Sequence, residues 1–146
     1  MAVQTLEEIA DLLKRMGTLL EIKGENAFKI RAYYKAADNI AGLSEDVAVV
    51  SEEGRLGEIP GIGKTIAEKI GEWLATGQLK AYGKLTAEVP ETLLEIVDIP
   101  TVGPKKAHLF FDKLKITTID QLRAAATDGR LAQLPGVQQK TIDNIL

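Results

Sequence analysis

A twelve-residue run, IPGIGKTIAEKI at 59–70, constrains this chain most, because it recurs twice downstream as IPTVGPKKAHLF at 99–110 and LPGVQQKTIDNI at 134–145. Each copy sets an apolar residue and a proline before a short turn, then an amphipathic helical stretch. Each has a small or aliphatic residue seven positions after its proline (Ala67, Ala107, Ile142) and an apolar one ten after it (Ile70, Phe110, Ile145). Residues 54–62 (GRLGEIPGI) and 129–137 (GRLAQLPGV) also match, which points to internal duplication. Two short helices joined by such a turn leave several backbone N–H groups pointing outward at a helix start, where they suit a phosphate. The pattern therefore predicts a module that holds a nucleic-acid backbone without reading bases.

No stretch alternates apolar and polar residues as a half-buried strand does, so the expected fold class is all-α. Thr5 and Glu8 predict a capping box for a first helix that ends at Gly24. Asn26 and Ser44 predict the caps of a second and a third helix. The first turn-helix unit then runs to Gly77. Residues 78–89 are less patterned and mark the expected boundary between a helical bundle at 1–80 and a paired-hairpin unit at 86–146. Within the latter, Pro90 opens a helix, Pro104 sits at a first helical position, and Thr118 with Gln121 caps another helix. The last copy stops one residue beyond its final core position, so a fragment of a longer protein is expected.

Composition narrows the function. The 146 residues contain no Cys, which removes disulfides and thiolate metal sites. Net charge is −3, which argues against a large polyanion-binding surface but not against a small contact made by amides. Charge is uneven: Lys23, Lys29, Arg31 and Lys35 stand against Glu25, and Lys105, Lys106, Lys113 and Lys115 against Asp112, while residues 38–58 hold six acids against Arg55. Gly63-Lys64-Thr65 resembles the end of a nucleotide-binding P-loop. The earlier glycine that motif needs is Glu58, and no strand precedes the turn, so that chemistry is excluded. His108, the single histidine, lacks metal partners and reads as a helix-surface residue.

The turns resemble helix-hairpin-helix motifs. Residues 24–80, with GENAFKIRAYYKAADNIAGL followed by IPGIGKTIAEKIGEWLATG, resemble the amino-terminal domain of family X DNA polymerases of the polymerase beta type, and the likeness continues into the subdomain that grips duplex DNA. The polymerase palm is absent, so no polymerisation is expected from this chain alone. The resemblance implies DNA as partner (gapped, nicked or single-stranded), held at Gly61, Gly63, Lys64, Gly103, Lys105, Lys106, Lys29, Tyr33 and Lys35. It also implies a catalytic domain or protein partner beyond this region, no membrane, and a cytoplasmic, nucleoid-associated location. It implies no tightly bound cofactor, but Na+ or K+ held by the carbonyls of Gly57, Ile59 and Ile62 and of Val97, Ile99 and Val102.

By the same resemblance, Lys69 is the nucleophile of a 5′-deoxyribose-phosphate lyase, with Lys29, Lys35 and Tyr33 around it. An ordinary lysine is almost wholly ammonium at pH 7, so this chemistry needs cationic neighbours. Thr65, Gly57 and Ala81 stand where the vertebrate-type domain has phosphate-binding lysines, and Phe28 replaces a base-stacking histidine. Thr101 replaces the first turn glycine of the second copy and would be strained at positive φ. Gln138 replaces the second glycine of the third copy, which reads as a structural hairpin packed on the second. Three functions stay open at this level: a sequence-independent DNA grip, a lyase acting through Lys69, and a protein-interaction module.

Overall fold

The computed structural model describes residues 2–146, with side chains from residue 6 onward. Among the described residues there are helices, turns and loops and no strand. None of these helices is long and apolar enough to cross a membrane. The chain forms two compact units, one of residues 2–17 with Asn26–Leu85 and one of Thr18–Glu25 with Thr86–Leu146. Helix α1 (Ala2–Lys23) contributes to both.

In the first unit, α1 buries Leu6, Ile9, Leu12, Leu13 and Met16 at helical spacing. Helix α1 begins at Ala2, so Thr5 lies inside it rather than capping it; the Thr5 side chain is outside the described residues. Helix α2 (Ala27–Ala41) starts as expected, with the Asn26 side chain accepting from the Phe28 N–H at 2.7 Å, and buries Tyr33, Ala36, Ala37 and Ile40. Helix α3 (Val47–Glu52) is capped by Asp46, not Ser44: the Asp46 carboxylate accepts from the Ala48 N–H at 2.9 Å. A 3-10 turn at Leu56–Glu58 leads to helix α4 (Lys64–Thr76), which ends at Gly77 with φ +73°. Of its expected stripe, Ile66 and Ile70 are buried while Trp73 and Leu74 are half-buried.

The unpatterned residues 78–89 prove to contain a helix, α5 (Lys80–Glu88). Its apolar signal is thin because it buries only Leu85. Its start is held from a distance, the Glu72 carboxylate of α4 accepting from the Lys80 N–H at 2.8 Å.

In the second unit, helices α6 (Leu93–Val97), α7 (Gly103–Leu114), α8 (Ile119–Thr127) and α9 (Gln139–Ile145) surround a core that includes Leu93, Ile96, Phe110, Leu122 and Ile142. Helix α6 begins a turn after Pro90, and Pro104 is the second residue of α7 rather than the first. The Thr118 hydroxyl caps α8 at the Gln121 N–H, 3.1 Å away, as expected. The Gln121 side chain reaches back to the Thr117 N–H at 2.7 Å, one residue earlier than a standard box. The tail of α1 also belongs here, with Leu19, Leu20 and Ile22 buried and the Lys23 ammonium 2.7 Å from the Glu88 carboxylate. His108 is not a free surface residue. Its Nδ1 donates to the Ile22 carbonyl at 2.6 Å, the only role open to a ring nitrogen facing an acceptor.

Candidate nucleic-acid interface

All three repeats turn in the same way. The carbonyl of Ile59 accepts from the Ile62 N–H at 3.0 Å, that of Ile99 from Val102 at 3.0 Å, and that of Leu134 from Val137 at 3.4 Å. Each four-residue turn has proline second and a left-handed residue third: Gly61 at φ +82°, Thr101 at +69° and Gly136 at +84°. This is the pattern of a type II turn, for which proline fixes one angle and glycine suits the next. The Pro-Gly pairs at 60–61 and 135–136 carry that signal openly in the sequence. Thr101 hides it.

Gly61 and Gly63, the two glycines of the first turn, do different things. Gly61 takes the left-handed angle, and a Cβ there would meet Asn39 Nδ2 at 2.7 Å and Lys35 Cγ at 3.1 Å. Gly63 has φ −86° and ψ −179°, extended backbone open to any residue, with nothing within 4 Å of an added Cβ. It is the N-cap of α4 and offers no side chain to cap it. The first intrahelical bond runs from the Ala67 N–H to the Gly63 carbonyl at 2.9 Å, so the amides of Lys64, Thr65 and Ile66 begin the helix uncapped. Partial positive charge therefore collects at this end, with space in front of it.

That space is a cavity of about 430 Å³, lined by Lys29, Ala32 and Tyr33 of α2 and by Gly61, Gly63, Lys64, Thr65, Ile66 and Lys69. Helix α2 thus brings Lys29 and Tyr33 to the turn, and one further turn of α4 brings Lys69. Lys35 lies outside the cavity lining and lays its stem on Gly61 instead. Tyr33 is buried, which pushes its phenol up from the ordinary value near 10.0 and keeps it a hydrogen-bond donor at neutral pH. Phe28, at 76% exposure, presents its ring beside the same helix, with the Arg31 guanidinium 4.9 Å from its centre.

The second hairpin has a different geometry. Gly103 takes φ +67°, where Gly63 is extended, and Pro104 removes one amide from the start of α7. Lys105 is exposed, but Lys106 folds back to donate to the Thr101 carbonyl at 2.9 Å. Thr101, left-handed without being glycine, is held through its hydroxyl. That oxygen lies 3.0 Å from the Thr141 hydroxyl and accepts from Asn144 Nδ2 at 3.1 Å. In the third hairpin Gln138 caps α9 with no side-chain bond, and Thr141 and Asn144 face the second hairpin.

Sequence reasoning missed Asn39 and Asn144. Asn39 donates its side-chain amide to the carbonyl of Pro60, and Asn144 does the same to Pro100 at 3.1 Å. Both bonds join residues more than twenty positions apart, so no local motif announces them.

Among the described residues the carbonyls of Gly57, Ile62, Val97 and Val102 accept no turn, loop or cap bond from the backbone, and those of Ile59 and Ile99 each keep one lone pair beyond the turn bond. Both sets are neutral oxygens, the donor type that hard monovalent cations take.

Comparison with known proteins agrees with this geometry. Residues 5–79 match the family described as "Helix-hairpin-helix domain", and residues 91–146 match "SAM-like Helix-hairpin-helix tandem". Over 140 residues the chain is 31% identical to the DNA polymerase/3′-5′ exonuclease PolX of Bacillus subtilis (strain 168), which covers 96% of this chain and 24% of that protein. The chain thus spans about a quarter of the length of that curated relative. The resemblance to family X polymerases read from the AYYKAA helix and the first hairpin has its counterpart in this relative. With three such turns in one helical chain and two matching family descriptions, this protein belongs to the helix-hairpin-helix domain family.

Proposed function

We propose that the chain holds DNA by its phosphate backbone, independently of sequence, as part of a family X repair polymerase. One observation carries this reading: the uncapped amides at the start of α4 open into a cavity that also collects Lys29, Lys64 and Lys69. A phosphate there meets N–H donors, the positive end of a helix and ammonium groups at once. The relative's name, a DNA polymerase, supports the same substrate. The second hairpin supplies a weaker grip, since Pro104 lacks an N–H and Lys106 braces its own turn. Na+ or K+ on the carbonyls of Gly57, Ile59 and Ile62, and on those of Val97, Ile99 and Val102, would add positive charge beside each phosphate.

Neutralising roughly two to four phosphates gives a slope of about −2 to −4 in log K against log salt. Anisotropy titrations with gapped, nicked and single-stranded DNA over a range of salt test this. Binding at micromolar or weaker, insensitive to sequence and lost on replacing Lys64 and Lys105 by Ala, is expected. A sequence-specific footprint, or affinity untouched by those changes, would refute it.

The position of Lys69 on the wall of the same cavity favours a second reading, a 5′-deoxyribose-phosphate lyase. The Lys69 amine adds to the sugar's aldehyde carbon and water departs, leaving a Schiff base. Loss of a C2 proton then breaks the sugar's C3–O bond and expels the downstream strand with a 5′-phosphate, and water releases the sugar from Lys69. Borohydride added to a gapped DNA carrying the 5′ sugar phosphate should trap a protein–DNA adduct that disappears in Lys69→Ala. Binding with no adduct would leave the grip and remove the lyase.

A further inference from the structure

The two asparagine bonds act on the one peptide unit of each turn that is free to flip. Type I and type II turns differ by rotation of the peptide between their second and third residues. In the first hairpin this unit is the Pro60 carbonyl with the Gly61 N–H, and in the second it is the Pro100 carbonyl with the Thr101 N–H. The turn's own hydrogen bond uses Ile59 and Ile99, so it does not fix the flip. Asn39 and Asn144 each hold the carbonyl that would swing away. Flipping would return the third residue to negative φ, which glycine has little reason to prefer and threonine has good reason to prefer. The second hairpin therefore needs the clasp more, and it has more: α9 supplies Asn144 to both the Pro100 carbonyl and the Thr101 hydroxyl, and Thr141, buried, to the same hydroxyl.

We infer that Asn39 and Asn144 are positioning residues that lock these turns in the form in which the following helix start faces a phosphate, and that the third hairpin serves as the clasp of the second. The inference rests on the proposed DNA grip. It gives a function to the hairpin that lacks a second glycine, and it explains how threonine stands at the third position of a type II turn.

The test uses the full chain with a fluorescein-labelled gapped DNA, together with amide nitrogen–proton spectra with and without DNA. Asn144→Leu should weaken binding about five- to tenfold, and Asn39→Leu about two- to threefold, as loss of one hydrogen bond allows. In Asn144→Leu the Thr101 and Gly103 amide signals should broaden by exchange while those of Gly61 and Gly63 stay sharp, a selectivity that general loosening would not produce. Thr101→Gly, which needs no clasp, should restore binding in the Asn144→Leu background. Thr141→Val, of the same shape, carries the same expectation should Asn144→Leu fold poorly. Wild-type affinity and sharp Thr101 signals in Asn144→Leu and Thr141→Val would overturn the clasp alone. A wild-type chain that binds no DNA would overturn the grip, and the positioning role with it.

Discussion

Replacing Gly61 by alanine adds one methyl group and tests two separate demands on that position. The first is conformational: at φ +82° an L-residue costs about 1–2 kcal/mol, partly offset by about 0.4–1 kcal/mol from a stiffer unfolded chain. The second is steric. The new Cβ would stand 2.7 Å from Asn39 Nδ2 and 3.1 Å from Lys35 Cγ, so Asn39 must leave the Pro60 carbonyl, at a cost of about 1 kcal/mol for the hydrogen bond. Together these give a loss of about 2 kcal/mol. Gly77→Ala is the control within the same unit: its φ of +73° imposes the first demand, but nothing lies within 4 Å of an added Cβ, so the loss should be about 0.5–1 kcal/mol. Trp73, the only tryptophan, sits in that unit and reports its unfolding by fluorescence in urea. In an Asn39→Ala background the extra cost of Gly61→Ala should disappear. Equal losses for the two glycine variants, or an unchanged cost in that background, would refute the close approach of α2 to the turn.

Gly63→Ala makes a poorer N-cap on extended backbone but stiffens the unfolded chain, so urea stability should stay within about 0.5 kcal/mol while DNA binding weakens at least about tenfold, because the methyl occupies the phosphate's approach. Thr101→Ala keeps the left-handed angle and discards both hydroxyl contacts, so thermal unfolding should show a loss of about 1–2 kcal/mol, with a smaller loss for Thr101→Gly. The buried Tyr33 phenol has a folded pKa above its unfolded value near 10.0. Above that value the unfolded state releases a proton that the folded state keeps, so Tyr33 contributes stability that is complete below pH 10 and falls as pH rises through the folded pKa. Urea unfolding from pH 8 to 11 should show a steeper decline in the wild type than in Tyr33→Phe.

Much of this arrangement could be read from the chain because its determinants are local. The Pro-Gly pairs, the spacing of Ile66 and Ile70, and the cap at Asn26 each depend on residues within a few positions of one another. Of the residues named from the resemblance, Lys29, Tyr33, Gly61, Gly63, Lys64 and Lys69 line one cavity, and Lys35 does not join them. What escaped depends on distant partners or on neighbours of equal local merit. The start of α5 relies on Glu72 from the preceding helix, and the turns at Pro60 and Pro100 rely on Asn39 and Asn144. Asp46 and Ser44 are comparable N-caps by composition, and only the path of the chain chooses between them. His108 looked exposed because its partner is a backbone carbonyl 86 residues earlier.

That last bond bears on how the protein is made. Leu19, Leu20 and Ile22 leave the ribosome before residues 86–146, yet they belong to the unit that those residues complete. At about 5–20 residues per second, the interval between translating Ile22 and His108 lasts roughly 4 to 17 seconds. The residues of the first unit have all been added once Leu85 is in place, while the apolar tail of α1 still waits for its partners. For that interval the nascent chain carries a sticky segment still without its partners, and this is the stage at which a chaperone, or an aggregate, would find it.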